Sequence, residues 1–392
     1  MQDGSTLGGR LASVRKRRGL TQKELARTSG VSLSLVRKVE QGDHDSVRLE
    51  TARKLAVALK VPTTVLMTNS DRETPDPVTV DEWEPVRRAL AGLDGQPDEQ
   101  PTAEGVSAAV AAIRPAVAGN RFTAIRPALA ALVRDASVLD RDDEASRQAR
   151  FRALNMTAWV LTQVRQWETA MLTLDQAADA ACGQLDHAEA VKTRVWLLLR
   201  QGELAKARDT AITWADRIEP RLSRATNREL SLWGAFLLNV ANAAIRDNRP
   251  GEAHDALKLA RAAGDCIGRE VMSDSSTTRL FGPVAVAYNR AETYAIDGQP
   301  EKTLAIDESI PPDVLAPTEI TRLRHQLDVA SALAQLRRYA DAVAVMQETH
   351  HAAPEWLPQQ RYAADILRKI VKGRRTLTAD MRELADAVRL PL

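Results

Sequence analysis

Aromatic residues and cysteines are both scarce in this chain of 392 residues, at 4% and two residues respectively. Strands favour aromatic and β-branched side chains, so this composition argues against a β-sandwich or a β-barrel. The isolated Cys182 and Cys266 fit no disulfide framework and no metal or redox spacing, which is typical of a reducing compartment. The chain also lacks an apolar signal segment and a run of about 18 apolar residues, the length of a membrane span. We therefore expect a cytoplasmic protein without a membrane segment.

Sequence signatures of catalysis are missing as well. The six histidines are scattered, and the adjacent His350 and His351 point to different sides of a helix, so they do not share a metal easily. No glycine-rich phosphate loop, nucleophile elbow or metal-ligand spacing occurs. The sequence therefore predicts no enzyme activity, no cofactor and no metal site.

Charge is distributed unevenly along the chain, although the net charge is only +2. Residues 1–67 carry a net charge of +7, and residues 68–105 carry a net charge of −7. This asymmetry predicts an anionic partner for the N-terminal segment alone. Prolines among acids and glycines give residues 68–105 the composition of a linker, with room for one short helix at 81–93. We therefore predict a domain over 1–67, this linker, and a helical domain over 106–392.

The first specific motif is TQKELARTSGVSLSLVRKVEQG, at residues 21–42. Thr21 followed by Glu24 is a capping box, which predicts the start of a helix. Gly30 ends that helix, and Ser32 caps a second one. Two short helices joined in this way allow one helix to lie over a DNA backbone and the other to enter the major groove. The residues near the start of the second helix then face base edges or nearby phosphates: Ser32, Leu33, Ser34 and Lys38.

The order T-Q-x-E-L-A, G-V-S and E-x-G resembles the Cro/repressor-type (XRE) helix-turn-helix family over residues 7–66. The resemblance implies an all-α, five-helix, λ-repressor-like domain that binds double-stranded DNA. It implies that Gln22 touches phosphate or braces the second helix, and that Arg37 reaches phosphate. Backbone contacts are implied for three further arginines: Arg10, Arg18 and Arg53. Leu33 departs from the polar residue often found at this position, and it either contacts a thymine methyl group or contributes nothing to base recognition. The alternative to DNA binding is protein docking, which some domains of this fold serve instead.

From residue 106 to 392 the apolar pattern is helical, and no strand is predicted. Six stretches share one pattern, in which an apolar helix is followed by a short polar turn and a second helix. One residue at a fixed offset after the turn aligns in all six stretches: Ile125, Ala170, Ala207, Ala253, Thr303 and Ala342. Their spacing of 37 to 50 residues exceeds the 34 or so of a tetratricopeptide repeat, so the helices or the loops are longer. Such helix pairs bury their apolar faces by stacking into a right-handed α-solenoid. We predict a tetratricopeptide-like domain, with a generic helical bundle as the alternative.

Three segments are similar to parts of actinobacterial XRE regulators that carry a long C-terminal tetratricopeptide-like domain: FGP at 281–283, RHQLDVASA from Arg324, and APEW from Ala353. The wider architecture resembles the RRNPP peptide-sensing, quorum-sensing regulators. That resemblance implies a bacterial cytoplasmic homodimer. It also implies that the helical domain dimerises and binds a signalling peptide or small molecule on its concave face.

The repeat register nominates residues for that concave face. Two positions one helical turn apart point inward in such repeats, and they supply the candidate ligand-binding residues: Asn155, Trp159, Lys192, Trp196, Asn242, Tyr288 and Glu292. Asparagine amides can clamp an extended peptide, and tryptophans supply apolar anchors. The alternative is that the tryptophans fill the core, whereas a buried asparagine needs a partner in either case.

Three functions are open on the sequence alone. The first is a dimeric, ligand-responsive transcription regulator that binds an inverted-repeat operator. The second is a DNA-binding regulator whose helical domain serves only dimerisation or protein docking, and the third is an interaction adaptor. An occupied concave groove would favour the first, and a groove filled by side chains would favour the second. A lack of salt-sensitive DNA binding would leave the third.

Overall fold

The computed structural model describes residues 6–43, 47–67, 82–95, 97, 99–119, 121–272, 280–311, 318–354, 356–374 and 376–390. Apart from two strands of two residues each, the α- and β-structure in these ranges is helical, which confirms the all-α fold. Two compact units make up the chain. The first comprises residues 1–110, 126–217 and 239–256, and the second comprises residues 111–125, 218–238 and 257–392. Among the described helices, none combines the length and the hydropathy that a bilayer crossing requires.

The described residues between 6 and 67 form four α-helices and one turn of 3-10 helix: α1 (Leu7–Arg17), α2 (Gln22–Ser29), α3 (Leu33–Gln41), α4 (Leu49–Leu59) and the 3-10 turn (Thr63–Val65). The fifth predicted helix is therefore a single turn, which begins after Pro62. One face of each α-helix is apolar, and these faces meet in a core that includes Leu25 and Val36, both fully buried. Gly8 lets α1 lie close to α3, because a Cβ atom there would stand 2.1 Å from the carbonyl oxygen of Val39.

The remaining α-helices follow in chain order: α5 (Glu84–Leu90), α6 (Ala103–Ala118), α7 (Phe122–Ser137), α8 (Glu144–Gln163), α9 (Trp167–Ala180), α10 (Gln184–Gln201), α11 (Leu204–Arg217), α12 (Asn227–Arg246), α13 (Pro250–Ile267), α14 (Pro283–Asp297), α15 (Pro300–Ser309), α16 (Glu319–Gln335), α17 (Tyr339–Ala352), α18 (Arg361–Gly373) and α19 (Ala379–Ala387). Within the first unit, each helix from α8 to α11 contacts the next one in the chain, and α8 also contacts α10. Within the second unit the same pattern runs from α14 to α19. Packing between sequence neighbours is what stacked helix pairs produce.

The segment predicted as a linker contains a packed helix. Asp81 lies outside the described residues, and α5 begins three residues after it. Val86 is 0% exposed, and Leu90 packs on the core cluster of α8, α9 and α10. The Nη1 atom of Arg87 donates to Gln166 Oε1 at 3.3 Å. This part of the segment is therefore anchored to the helical region.

The six aligned residues occupy one position in the fold. Each is the fourth residue of its helix, in α7, α9, α11, α13, α15 and α17. All six are buried, with exposed fractions between 0% and 6%. Each backbone N–H donates to the carbonyl four residues earlier and so closes the first turn of the helix. Helices of up to 20 residues account for part of the long repeat spacing.

The turn within a helix pair has the same backbone geometry in five of the described pairs. Two residues before the second helix, one residue is left-handed, with φ between 58° and 78°: Arg165, Gly202, Asn248, Gly298 and Arg337. The next residue then donates its N–H to a carbonyl of the preceding helix, as Gln166 does to Leu161 at 2.9 Å. This closure is a Schellman motif, which favours glycine at the left-handed position. The two arginines therefore carry backbone strain that glycine would relieve.

Two short strands correct the prediction of a purely helical region beyond residue 106. Between α13 and α14, β1 (Val271–Met272) pairs antiparallel with β2 (Leu280–Phe281). Gly234 on α12 makes room for Phe281, because a Cβ atom there would stand 2.0 Å from the aromatic ring. Pro283 then occupies the first position of α14. Strands of two residues show no alternating pattern, so sequence periodicity does not reveal them.

Candidate nucleic-acid interface

Local capping interactions fix the boundaries of α2 and α3. Thr21 Oγ1 accepts the N–H of Glu24 at 3.2 Å, and Glu24 Oε2 accepts the N–H of Thr21 at 2.8 Å, which confirms the capping box. The Glu24 carboxylate accepts hydrogen bonds from both the N–H and the hydroxyl of Thr21, and these two bonds lower the pKa of Glu24. Gly30 is left-handed with φ of 68° and ends α2. Ser32 Oγ accepts the N–H of Leu35 at 3.2 Å and begins α3.

One side of α3 presents a polar face to solvent. Ser34, Arg37 and Lys38 are exposed and lie three and four residues apart, so they share one side of the helix. Ser32 is exposed at the cap. Leu33 is half-buried and packs against the core. Four of the residues that the sequence predicts to face DNA are thus accessible together.

A buried ion pair holds the C-terminal part of α3 to α1. Arg15 donates to both carboxylate oxygens of Glu40, from Nε at 2.6 Å and from Nη2 at 2.8 Å. Its Nη1 donates to the carbonyl of Leu20 at 2.7 Å. The side-chain amide of Gln22 donates to Glu40 Oε2 at 2.7 Å, so Gln22 braces α3 in this structure. Hydrogen bonding to Glu40 raises the pKa of Arg15.

The ion pair is a structural element that the sequence analysis missed. Arg15 stands in a basic run before Gly19, and its partner lies 25 residues further along the chain. Glu40 does carry a detectable signal, because it lies four residues after Val36 and directly after Val39, on the apolar face of α3. A carboxylate on a buried face requires a cationic or hydrogen-bonding partner.

The three arginines predicted to contact the DNA backbone each donate to a main-chain carbonyl of the protein. These pairs are Arg10 Nε to Leu66 at 2.9 Å, Arg18 Nη2 to Lys60 at 3.0 Å, and Arg53 Nε to Ile245 at 3.1 Å. Arg18 is exposed, whereas Arg10 and Arg53 are half-buried. A guanidinium has five N–H donors, so an exposed arginine with one bond made can still bind phosphate.

Four of the candidate ligand-binding residues lie on α8 and α10 in the first unit. Asn155 is 1% exposed, and its Oδ1 accepts the hydroxyl of Thr193 at 2.9 Å. The partner that a buried asparagine requires is therefore a neighbouring helix of the same chain. Trp159, Lys192 and Trp196 are half-buried and keep part of their side chains accessible.

The other three candidates are Asn242 in the first unit and Tyr288 and Glu292 in the second. Asn242 is 8% exposed, and its Oδ1 accepts Arg246 Nη1 at 3.3 Å. Tyr288 stacks on His325 with ring centroids 4.3 Å apart, and burial raises its pKa. Glu292 is half-buried.

Two features of the described residues concern the binding of metals and small molecules. They contain no group of three or more His, Cys, Asp or Glu side chains arranged to hold a metal ion. A cavity of about 300 Å³ lies among Pro85, Arg126 and Arg134 in the first unit. None of the candidate ligand-binding residues lines it.

Comparison with known proteins concerns the N-terminal segment. Residues 11–66 match a family model described as helix-turn-helix. The uncharacterized HTH-type transcriptional regulator RghRB of Bacillus subtilis (strain 168) is 40% identical over 63 residues, which are 16% of this chain and 45% of that relative. The chain therefore spans less than half the length of the relative, and no solved structure matches it. The N-terminal segment is a helix-turn-helix domain of the XRE type, and the tetratricopeptide-like character of the rest stays a prediction.

Proposed function

We propose that the protein is a DNA-binding transcription regulator. The observation that supports this function is the exposed face of Ser34, Arg37 and Lys38 on a helix that Glu40 and Arg15 hold in place. The major groove, about 12 Å wide, admits one such helix. Ser34 then reads base edges and Lys38 reaches bases or nearby phosphates, while Arg37 neutralises a phosphate.

The regulator acts as a homodimer on an inverted-repeat operator. One recognition helix contacts too few base pairs for useful affinity, whereas a two-fold dimer contacts two half-sites about 34–36 Å apart. Analytical ultracentrifugation at micromolar concentration should show a dimer. A monomer both with and without operator would contradict this part of the proposal.

Selection of duplexes from a random library, followed by titration at increasing salt, tests DNA binding. Ser34→Ala should reduce base discrimination by about 1–3 kcal/mol at one position without changing the salt dependence. Arg37→Gln should weaken binding to all sequences alike and lower the slope of log K against log salt by about 0.9. Lys54→Gln is the control, because Lys54 lies on α4 in an exposed pair with Glu50. If the unaltered protein binds no duplex in a salt-sensitive way, the adaptor function replaces this one.

The helical region senses a peptide or small-molecule signal. Trp159 and Trp196 support this, because each keeps part of a large apolar ring accessible on neighbouring helices, with Lys192 one turn from Trp196. The scaffold function is favoured instead by Asn155, which is 1% exposed and already paired with Thr193. Sensing requires apolar side chains that a ligand can reach. The scaffold function requires that the candidate residues are covered by other side chains of the same chain.

Native mass spectrometry of protein purified from its own host distinguishes these two functions. A retained ligand that is lost from Trp159→Leu, but kept by Trp214→Leu, would support sensing. Trp214 is a suitable control because it is half-buried on α11, outside the candidate stripe, and stacks on His187. Equal operator affinity with and without host extract, together with no retained ligand, would leave the scaffold function. An Asn242→Ala protein should bind operator normally but ignore the ligand.

A further inference from the structure

The C-terminal end of α12 meets the N-terminal end of the 3-10 turn within the first unit. A helix leaves its last carbonyls and its first N–H groups without partners of its own. Here one N–H pairs with one carbonyl directly, and two side chains complete the contact. The N–H of Thr63 donates to the carbonyl of Asp247 at 3.4 Å, the N–H of Thr64 donates to Asp247 Oδ1 at 2.9 Å, and Thr63 Oγ1 donates to the carbonyl of Arg246 at 3.0 Å.

Two side chains extend this contact in opposite directions. Arg53 on α4 donates from Nε to the carbonyl of Ile245 at 3.1 Å. In return, Asn248 donates from Nδ2 to the carbonyl of Val61 at 3.2 Å. The helix-turn-helix domain and the turn after α12 therefore each supply a donor. Such a reciprocal pair of hydrogen bonds restricts the orientation of the domain more than two donors from one partner would.

Asp247 lies at the centre of the contact. It is 1% exposed and Thr63 is 0% exposed, so water has little access to their hydrogen bonds. Asp247 Oδ2 accepts Arg249 Nε at 2.9 Å and stands 3.7 Å from Arg208 Nη1 on α11. One buried carboxylate therefore ties the helix-turn-helix domain to α11 and to Arg249, just before α13, and its charge is compensated by arginines.

We infer that this docking turn, residues 245–248, fixes the orientation of the helix-turn-helix domain on the part of α12 and α13 that belongs to the first unit, so that a displacement of this turn moves α3. The contact uses α4 and the 3-10 turn and leaves Ser34, Arg37 and Lys38 exposed. Docking therefore positions the DNA-facing helix and does not cover it. The inference goes beyond the proposed function, because the docking requires neither DNA nor a ligand.

Hydrogen–deuterium exchange of the full-length protein tests the docking through the amides of Thr63 and Thr64. Asn248→Asp replaces a donor by an acceptor that faces the carbonyl of Val61, while it keeps a residue type that tolerates the left-handed backbone. Asp247→Ala removes the acceptor of the Thr64 N–H. Each change should accelerate exchange at 63–64 about tenfold, the factor that corresponds to one hydrogen bond of ordinary strength.

Arg337→Asp is the matched control, because Arg337 holds the equivalent left-handed position in the turn between α16 and α17. Acceleration at 63–64 with unchanged exchange in α3, and no effect of Arg337→Asp, would support docking. The inference is overturned if the Thr64 amide of the unaltered protein exchanges as fast as an open peptide. Unchanged exchange in both variants would overturn it too, as would an equal acceleration of α3 by Asn248→Asp. None of these outcomes depends on whether the protein binds DNA.

Discussion

Glu40→Ala should destabilise the helix-turn-helix domain strongly, because it removes the carboxylate that Arg15 and Gln22 both bind. The side chains of Arg15 and Glu40 are only 10% and 5% exposed. Removing one partner of a buried ion pair leaves the other charge uncompensated, which costs about 3–5 kcal/mol. Small domains have a total stability of roughly 5–15 kcal/mol. This single change therefore removes a large share of the stability of the domain.

Native-state hydrogen exchange is the suitable assay, because it reports the opening free energy of α1 and α3 separately from the rest of a chain with two units. Glu50→Ala is the matched control within the same domain. Glu50 pairs with Lys54 on one exposed helix face, with side-chain exposures of 55% and 52%. Exposed pairs of this kind contribute about 0.3–0.5 kcal/mol. Exchange in α1 and α3 should therefore accelerate far more in Glu40→Ala than in Glu50→Ala.

A double variant separates the charge from the packing. Arg15→Met combined with Glu40→Met removes both charges, so it should cost less stability than Glu40→Ala alone. If Glu40→Ala costs no more than Glu50→Ala, or if the double variant is the less stable of the two, the argument from an uncompensated buried charge is refuted.

Two further predictions concern positions where the backbone favours glycine. Gly8→Ala should destabilise the domain by about 1–3 kcal/mol, because the new methyl group overlaps the carbonyl of Val39, and thermal unfolding with exchange in α1 would show it. Arg165→Gly and Arg337→Gly should each stabilise the helical region by about 0.5–1 kcal/mol by relieving a left-handed arginine, whereas Gly202→Ala should cost a similar amount. Urea midpoints of the three variants check this, and equal shifts for all of them would contradict the backbone explanation.

The local features of the fold could be predicted from the sequence, because they depend on residues close together in the chain. The capping box of Thr21, the left-handed Gly30 and the buried fourth residue of each second helix are of this kind. The missed features connect distant residues. Arg15 and Glu40 are 25 residues apart, and Arg53 and Ile245 are 192 apart. No local periodicity encodes such contacts, which depend on tertiary packing.

The candidate site shows the same division. The exposure of Ser34, Arg37 and Lys38 follows from the apolar spacing of α3, so the sequence was sufficient to place them together. The sequence did not indicate that Asn155 is closed off by Thr193, because that bond joins two different helix pairs. The repeat register predicts the side of a helix on which a residue lies. It does not predict whether the polar atoms of that residue are already hydrogen-bonded to a neighbouring helix.

The repeated turn geometry also indicates where this chain tolerates changes in length. Connections within the five helix pairs contain two or three residues, whereas connections from one pair to the next contain between three and 15. Helix lengths also differ from pair to pair, but the longest connections all lie at the module boundaries. An epitope tag or a reporter domain inserted at residues 218–226 should leave neighbouring modules intact. The same insertion at residues 164–166 would separate two helices that form a single module.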